Sequence, residues 1–150
     1  MRTTRALVLA TLFAIPAVAV PRALAAQVAG DVGRSPSPPD STLRSAERAA
    51  REWLWLLDEQ SYERAWTLVA PAMKSLVGYE QWATSLASLR SVLPRVLRRE
   101  LLRAEPSVAL FGGNSVILSF GVGSGTLREI LVLVRASAGW QVGGYGILLY

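Results

Sequence analysis

The chain of 150 residues contains no cysteine and no histidine. Without cysteine it can form no disulfide and can carry no lipid on an N-terminal cysteine. Without either residue it lacks the ligands of ordinary zinc sites and the partners of Ser-His-Asp and Cys-His catalytic sites. Any catalysis would depend on carboxylates, tyrosine, lysine or arginine. The composition therefore favours a non-catalytic protein, and it predicts no metal and no cofactor.

Basic charge is also scarcer than the net charge of +5 suggests. Three of the basic residues, Arg2, Arg5 and Arg22, lie in a predicted export signal, and the remaining 13 basic and 11 acidic residues give a net charge of +2. Nucleic-acid binding requires a concentrated basic face, so we expect no nucleic-acid partner. The length is that of one domain with one core.

Residues 1–25 have the pattern of a signal peptide. Two arginines precede an apolar run at positions 6–20, and Ala23-Leu24-Ala25 forms a small-x-small cleavage site. The run is shorter than the roughly 20 apolar residues of a spanning helix. We expect export to the periplasm or the medium, with no stable membrane insertion after cleavage. An uncleaved anchor is the alternative.

Residues 26–40 are rich in glycine and proline and lack a hydrophobic period, which predicts a flexible linker. Residues 41–150 then form the single predicted domain. The apolar spacing predicts three helices: one that ends near Asp58, a short one from Tyr62, and one from about Tyr79 to Val92. Pro71 can start a further turn.

The tryptophans of the first two helices are predicted to have different roles. Trp53 lies in the apolar stripe of the first helix, and Trp66 follows Tyr62 at i+4, so both are predicted to be core. Trp55 lies on the opposite, charged face. Either its ring covers arginine side chains in a cation–π contact, or it belongs to a partner interface.

After Pro94 the pattern changes to that of strands. SVILSFGV (115–122), TLREILVLVRA (126–136) and GWQVGGYGILLY (139–150) are rich in β-branched and aromatic residues and are bounded by glycine turns. RVLRRELLR (95–103) fits a helix or a strand. We predict an α+β cone in which three N-terminal helices pack on a curved antiparallel sheet of three to four strands.

The last strand combines alternation with three glycines. Alternation places Val142 with Trp140 on one face and Tyr145 on the other face. The glycines at 143, 144 and 146 disfavour a regular strand and predict a bulge or a strong bend.

A family resemblance rests on particular residues. They include an Ala-rich helix within residues 46–90 and the following positions: Trp53-Leu54, Asp58, Tyr62, Trp66, Gln81-Trp82, Arg99, Glu129, Trp140-Gln141-Val142 and Gly144-Tyr145. On these residues, about 44–147 of the chain resembles the domain-of-unknown-function family numbered 4019, although the stretch 104–127 departs from its pattern. The resemblance implies a small exported bacterial domain with a cystatin-like or NTF2-like layout, and it implies no function.

Cone-shaped α+β domains commonly enclose a pocket between helices and sheet. The polar residues predicted to bind a ligand there are Arg90, Arg99, Glu129 and Tyr145. For Glu129 the favoured interpretation is a solvated strand residue. The alternative is a carboxylate that pairs with Arg90 or Arg99 beneath the pocket and resembles a general base. The arginines of 95–103 are predicted to lie on a solvated strand face.

Two functions stay open. The favoured hypothesis is an exported non-catalytic module that binds a small apolar ligand or a protein partner, with Trp55 as a candidate interface residue. Under this hypothesis the partner can also be a second copy of the chain, in a homodimer whose sheets pack face to face. The alternative is a small pocket enzyme of the isomerase or hydratase type that uses Glu129 and Tyr145.

Overall fold

The computed structural model describes residues 40–91, 93, 98–107, 110–111, 114–123 and 127–149. The predicted signal peptide and almost all of the predicted linker lie outside these residues. The elements, in chain order, are α1 Asp40–Asp58, α2 Tyr62–Thr67, α3 Pro71–Lys74, α4 Tyr79–Ser91, β1 Arg99–Ser107, β2 Ser115–Val122, β3 Leu127–Ala136 and β4 Gly139–Leu149. Helices therefore precede strands, and the predicted α+β class is confirmed. The described helical half has four segments where three were predicted, because the turn that begins at Pro71 forms its own short helix.

Helix α1 buries one side along its length. Trp53 and Leu54 are buried together with the small residues Ala46 and Ala50, as the apolar spacing predicts. The alanines allow close approach to the sheet, while Trp53 supplies most of the buried volume at this position. On the exposed side, Arg51 forms an i,i+4 ion pair with Glu47 at 2.7 Å.

The four strands form one antiparallel sheet in the order β1-β2-β3-β4. From Val116 in β2 and from Leu127 to Val134 in β3, burial alternates, so one row of side chains faces the helices and the other faces away from them. β1 begins at Arg99, so residues 99–103 of the ambiguous segment 95–103 form a strand and Arg98 precedes it. Residues 95–97 lie outside the described residues.

A bulge in β4 changes which side chains face the core. Val132 pairs with Gly144 and Leu133 pairs with Val142, so Gly143 has no counterpart on β3. The glycine-based prediction of a bulge is confirmed. The prediction that Val142 and Tyr145 face opposite sides is wrong, because both are buried on the helix side. The extra residue shifts the alternation by one position.

Gly143 also sits where no side chain fits. A Cβ at this position would lie 2.8 Å from the ring of Phe111 and 2.8 Å from a methyl group of Val134. Such contacts are shorter than van der Waals distance, so Phe111 packs on the bulge only because residue 143 is glycine.

An aromatic cluster joins α1, α2 and α4 to the sheet. Trp53 is buried, and its ring lies 6.5 Å from that of Trp82 and 5.3 Å from that of Tyr145. The indole Nε1 of Trp53 donates to the carbonyl of Ala65 at 3.0 Å. The core prediction is confirmed for Trp53. Trp66 is only partly buried and packs on the edge of the core, with Lys74 above its ring.

No helix within the described residues is both long and apolar enough to cross a membrane.

Candidate functional site

The structure brings all four predicted ligand-binding residues together around Glu129. This carboxylate is fully buried, and it accepts hydrogen bonds from Arg90 Nη1 at 3.0 Å, Arg99 Nε at 2.5 Å and the Tyr145 hydroxyl at 2.6 Å. The favoured interpretation of Glu129 as a solvated residue is wrong. Residue 129 belongs to the inward row of β3, between Leu127 and Leu131, so its carboxylate lies under the helices.

Sequence reasoning missed the fifth member, Asp58. Its carboxylate accepts from Arg99 Nη1 at 2.5 Å and from Arg99 Nη2 at 2.9 Å, and it also pairs with Arg90. The only signal available was its place in the family resemblance, as an aspartate before a turn. We call Asp58, Arg90, Arg99, Glu129 and Tyr145 the arginine–carboxylate network.

Each member of the network comes from a different element. Asp58 is the last residue of α1, Arg90 lies in the last turn of α4, and Arg99 is the first residue of β1. Glu129 and Tyr145 project from β3 and β4. Because the C-terminal ends of helices carry partial negative charge, both helices favour the arginines placed beside them. The network thus ties α1 and α4 to one end of the sheet.

The charges of the network balance. Two guanidinium groups, each with a side chain 10% exposed, face one fully buried and one partly exposed carboxylate. Burial lowers the pKa of Arg99, but the hydrogen bonds to Asp58 and Glu129 and the negative charges of these carboxylates together outweigh burial and raise the pKa above its ordinary value. Arg99 is therefore a permanent cation that bridges both carboxylates.

Both oxygens of Glu129 are already occupied. Oε1 accepts from Arg90, Tyr145 and Arg99 Nη2, while Oε2 accepts from Arg99 Nε. A general base needs a free lone pair directed at the substrate proton. This arrangement orients the Glu129 carboxylate and neutralises its charge. Binding of a ligand by these residues stays a prediction.

We expect Tyr145 to couple stability to alkaline pH. Burial raises the pKa of the Tyr145 phenol well above its ordinary value of 10.0, the charge of Glu129 raises it further, and Arg90 opposes both. Since the folded state holds the proton more tightly, this contribution to stability is complete below pH 10 and is lost as the pH rises above it. Chemical denaturation across this range should show a steeper loss for the wild type than for Tyr145→Phe. Equal slopes would contradict the assignment.

The structure also contains a cleft of about 530 Å³ at the opposite end of the sheet. Its lining mixes polar residues, such as Ser45, Asn114 and Arg135, with the apolar residues Pro106, Val116 and Trp140. None of the predicted site residues lines it. Trp140 donates from Nε1 to Ser45 Oγ at 2.9 Å and has the Arg135 guanidinium 5.2 Å from its ring centre, so much of its polar and aromatic surface is already in use.

Within the described part of the chain, no group of three or more acidic residues is arranged to hold a metal ion. The arginines of 95–103 that were predicted to lie on a solvated strand face differ in their environment. Arg103 is exposed and pairs with Glu105 at 2.5 Å, whereas Arg99 belongs to the network.

Trp55 lies on the surface, as predicted, with 51% of its area exposed. Of the two interpretations, the cation–π contact is not found: the cation–π contacts among the described residues involve other rings, such as Arg51 over Phe120 at 5.1 Å. Its role as an interface residue stays a prediction.

The side of the sheet that faces away from the helices is apolar. We call it the outer face, and in β2, β3 and β4 its central members are Ile117, Ser119, Ile130, Val132, Val134, Gly144, Gly146 and Leu148. Charged residues of this face lie at its margins, with Glu100, Arg103 and Glu105 on β1 and Arg128 near one end of β3. One-sided antiparallel sheets usually carry polar residues on the face away from the core.

Comparison with known proteins gives a family and no activity. No curated protein and no solved structure matches the chain. The model of the family described as "Protein of unknown function (DUF4019)" matches residues 49–145, which is more than half of the chain and includes Asp58, Glu129 and Tyr145. The chain therefore belongs to the DUF4019 family.

Proposed function

We propose that this protein is an exported, non-catalytic binding module that holds another protein through the outer face of its sheet. The observation that carries the proposal is the row Ile130, Val132 and Val134, which faces away from the helices although Leu131 and Leu133 already face the core. A strand that is apolar on both sides is typical of a sheet covered on both faces. Ile130 and Val132 are half-buried, and the Phe111 ring covers the end of the row near Val134. Contiguous apolar surface marks interaction sites.

The shape of the surface favours a protein over a small apolar ligand. Small-molecule sites are concave and bury most of the ligand surface, whereas the outer face follows three paired strands. The cleft of about 530 Å³ is concave, but Ser45, Asn114 and Arg135 interrupt the apolar part of its lining. A broad surface of β-branched side chains suits the apolar centre of a protein interface.

The enzyme hypothesis has less support. It requires Glu129 to face a cavity with a free oxygen, and the carboxylate instead accepts from Arg90, Arg99 and Tyr145. We therefore assign the arginine–carboxylate network a structural role in this proposal, that of fixing the helices to the sheet whose other face binds.

Export and the cone-shaped layout are parts of the same proposal. The signal pattern of residues 1–25 and the Gly/Pro-rich stretch before α1 support delivery of a tethered or free domain outside the cytoplasm. Bulges in β1 after Leu101 and in β4 at Gly143 support a curved sheet of the cystatin-like or NTF2-like kind.

The substitution Val132→Asp tests the binding surface. We expect the exported wild-type protein to be recovered in an assembly heavier than one chain, and the variant to be recovered as a single folded chain. A charge in the middle of the outer face would lose its water on binding, which is costly without a partner charge. Native mass spectrometry of the exported protein measures the mass of the assembly and any bound molecule together.

Leu76→Asp is the matched control, because it introduces the same charge at an apolar residue that is 70% exposed after α3. It should assemble like the wild type. Indistinguishable masses for the wild type and Val132→Asp, with both folded by circular dichroism, would refute the proposed binding surface.

A further inference from the structure

The outer face combines a ridge and a groove that run side by side. The ridge consists of Ile130 and Val132 on β3, and the residues paired with them on β4 are Gly146 and Gly144. Among the described residues, a Cβ at Gly146 would meet no atom within 4 Å, and one at Gly144 would meet only Val132, at 3.6 Å or more. The groove therefore has a floor of bare backbone and is open above.

We propose that a second copy of this chain covers the outer face, with the ridge of each copy in the groove of the other. This inference rests on the proposed function and names its partner. A two-fold axis that runs parallel to the strands, between β3 and β4, places Val132 of one copy over Gly144 of the other. The same operation places Ile130 over Gly146, and each contact then occurs twice, as in an isologous interface.

The geometry suits two sheets packed face to face. Such sheets lie about 10 Å apart with their strands nearly aligned, and their side chains interdigitate. A β-branched ridge opposite glycine permits this spacing, whereas two ridges opposite each other would hold the sheets apart. Because Ile130 pairs with Gly146 and Val132 pairs with Gly144 in the same register, ridge and groove have equal length.

The charge distribution favours a copy of the same chain. The centre of the outer face carries no charge, so it offers nothing that would select a partner of opposite sign, and the charged residues of β1 lie at its margin with both signs present. The net charge of +2 that remains without residues 1–25 gives little repulsion between copies.

The chain before α1 does not supply a competing cover. Residues 27–39, which precede the first residue of α1, contain only Val28, Ala29 and Val32 as apolar residues other than proline. This stretch lacks the apolar area needed to replace a second sheet.

The decisive variant is Gly146→Val, which fills the groove and favours the strand. Valine is enriched in strands and glycine weakens them, and open space surrounds this position in the described structure. We expect the dissociation constant of the dimer to rise about 100-fold or more, since overpacking acts in both copies of the contact. Analytical ultracentrifugation over a dilution series measures it. At dilutions where the wild type is also monomeric, the variant should melt no lower than the wild type.

Gly144→Val repeats the test at the neighbouring pair, which protects the experiment against a local folding defect in either variant. A dimer of unchanged affinity in both folded variants would overturn the inference. So would a wild-type assembly whose mass includes a different protein. In that second case the proposed function stands if Val132→Asp abolishes the assembly, so the two failures are distinguishable.

Chemical cross-linking provides a geometric check, because the natural chain contains no cysteine. A short bis-maleimide should join a chain carrying Ile130→Cys to a differently tagged chain carrying Gly146→Cys. The matched mixture of Ile130→Cys with Leu76→Cys should give no such product, since Leu76 follows α3 on the helical side of the chain. Equal yields in both mixtures would overturn the proposed arrangement.

Discussion

Replacing Glu129 with alanine should lower the free energy of unfolding by about 3–5 kcal/mol. The substitution removes the buried acceptor of Arg90 and Arg99 and leaves two guanidinium groups with only Asp58 to balance them. Breaking a buried ion pair on one side is costly because the remaining charge has lost its hydration without compensation. Domains of this size are stable by about 5–15 kcal/mol in total, so the effect is large. Urea denaturation monitored by tryptophan fluorescence measures it.

Glu47→Ala is the control for the loss of a carboxylate. Glu47 forms an i,i+4 pair with Arg51 on the exposed side of α1, where side chains of 27% and 43% exposure stay in contact with water. Its removal should change stability by about 0.5 kcal/mol or less. If Glu129→Ala were as mild as this control, the arginine–carboxylate network would contribute nothing to holding α1 and α4 on the sheet.

Glu129→Gln separates charge from shape. The amide keeps one acceptor oxygen for Arg90 or Arg99 but removes the negative charge, so its cost should lie between those of the control and of Glu129→Ala. A cost equal to that of Glu129→Ala would assign the whole effect to charge balance, because the amide preserves most of the volume.

The sequence predicted most members of the network correctly, but it did not predict that Glu129 is buried. Arg90 was noticeable because it lies at the edge of an apolar helical stripe, and Glu129 because it lies in an otherwise apolar strand. Local patterns nevertheless favoured a solvated Glu129, since a single charge in a strand is usually exposed. Its burial follows from the register with β2 and β4, which places residue 129 under the ends of α1 and α4. Register and helix placement are long-range properties that a local pattern does not contain.

The error in β4 has a different physical cause. Strict alternation assigned Val142 and Tyr145 to opposite faces, and the single unpaired residue Gly143 brought them to the same face. Three nearby glycines predicted that a bulge exists but not which glycine forms it. The packing at position 143 shows why glycine is needed there, since the Phe111 ring occupies the place where a side chain would lie. Without this one-residue shift, the Tyr145 hydroxyl would not face Glu129.

The second large effect on stability is expected in helix α1, where two tryptophans lie only two residues apart. Trp53→Ala should cost about 3–5 kcal/mol of unfolding free energy, because it empties a buried volume and removes contacts with Trp82 and Tyr145. It also removes the donor for the carbonyl of Ala65, which lies in α2. Thermal melting followed by far-ultraviolet circular dichroism measures the loss.

Trp55→Ala is the matched control on the same helix, with the same change in side chain. Since 51% of Trp55 is exposed and it lies outside the core, its removal should change stability by about 0.5 kcal/mol or less. The same variant tests its predicted interface role, because weaker assembly at unchanged melting temperature would identify Trp55 as a contact residue in addition to the outer face. A large loss of stability in Trp55→Ala, or a small one in Trp53→Ala, would show that α1 presents a different side to the sheet. That result would also contradict the arginine–carboxylate network, because the same rotation of α1 that buries Trp53 directs Asp58 towards Arg90 and Arg99.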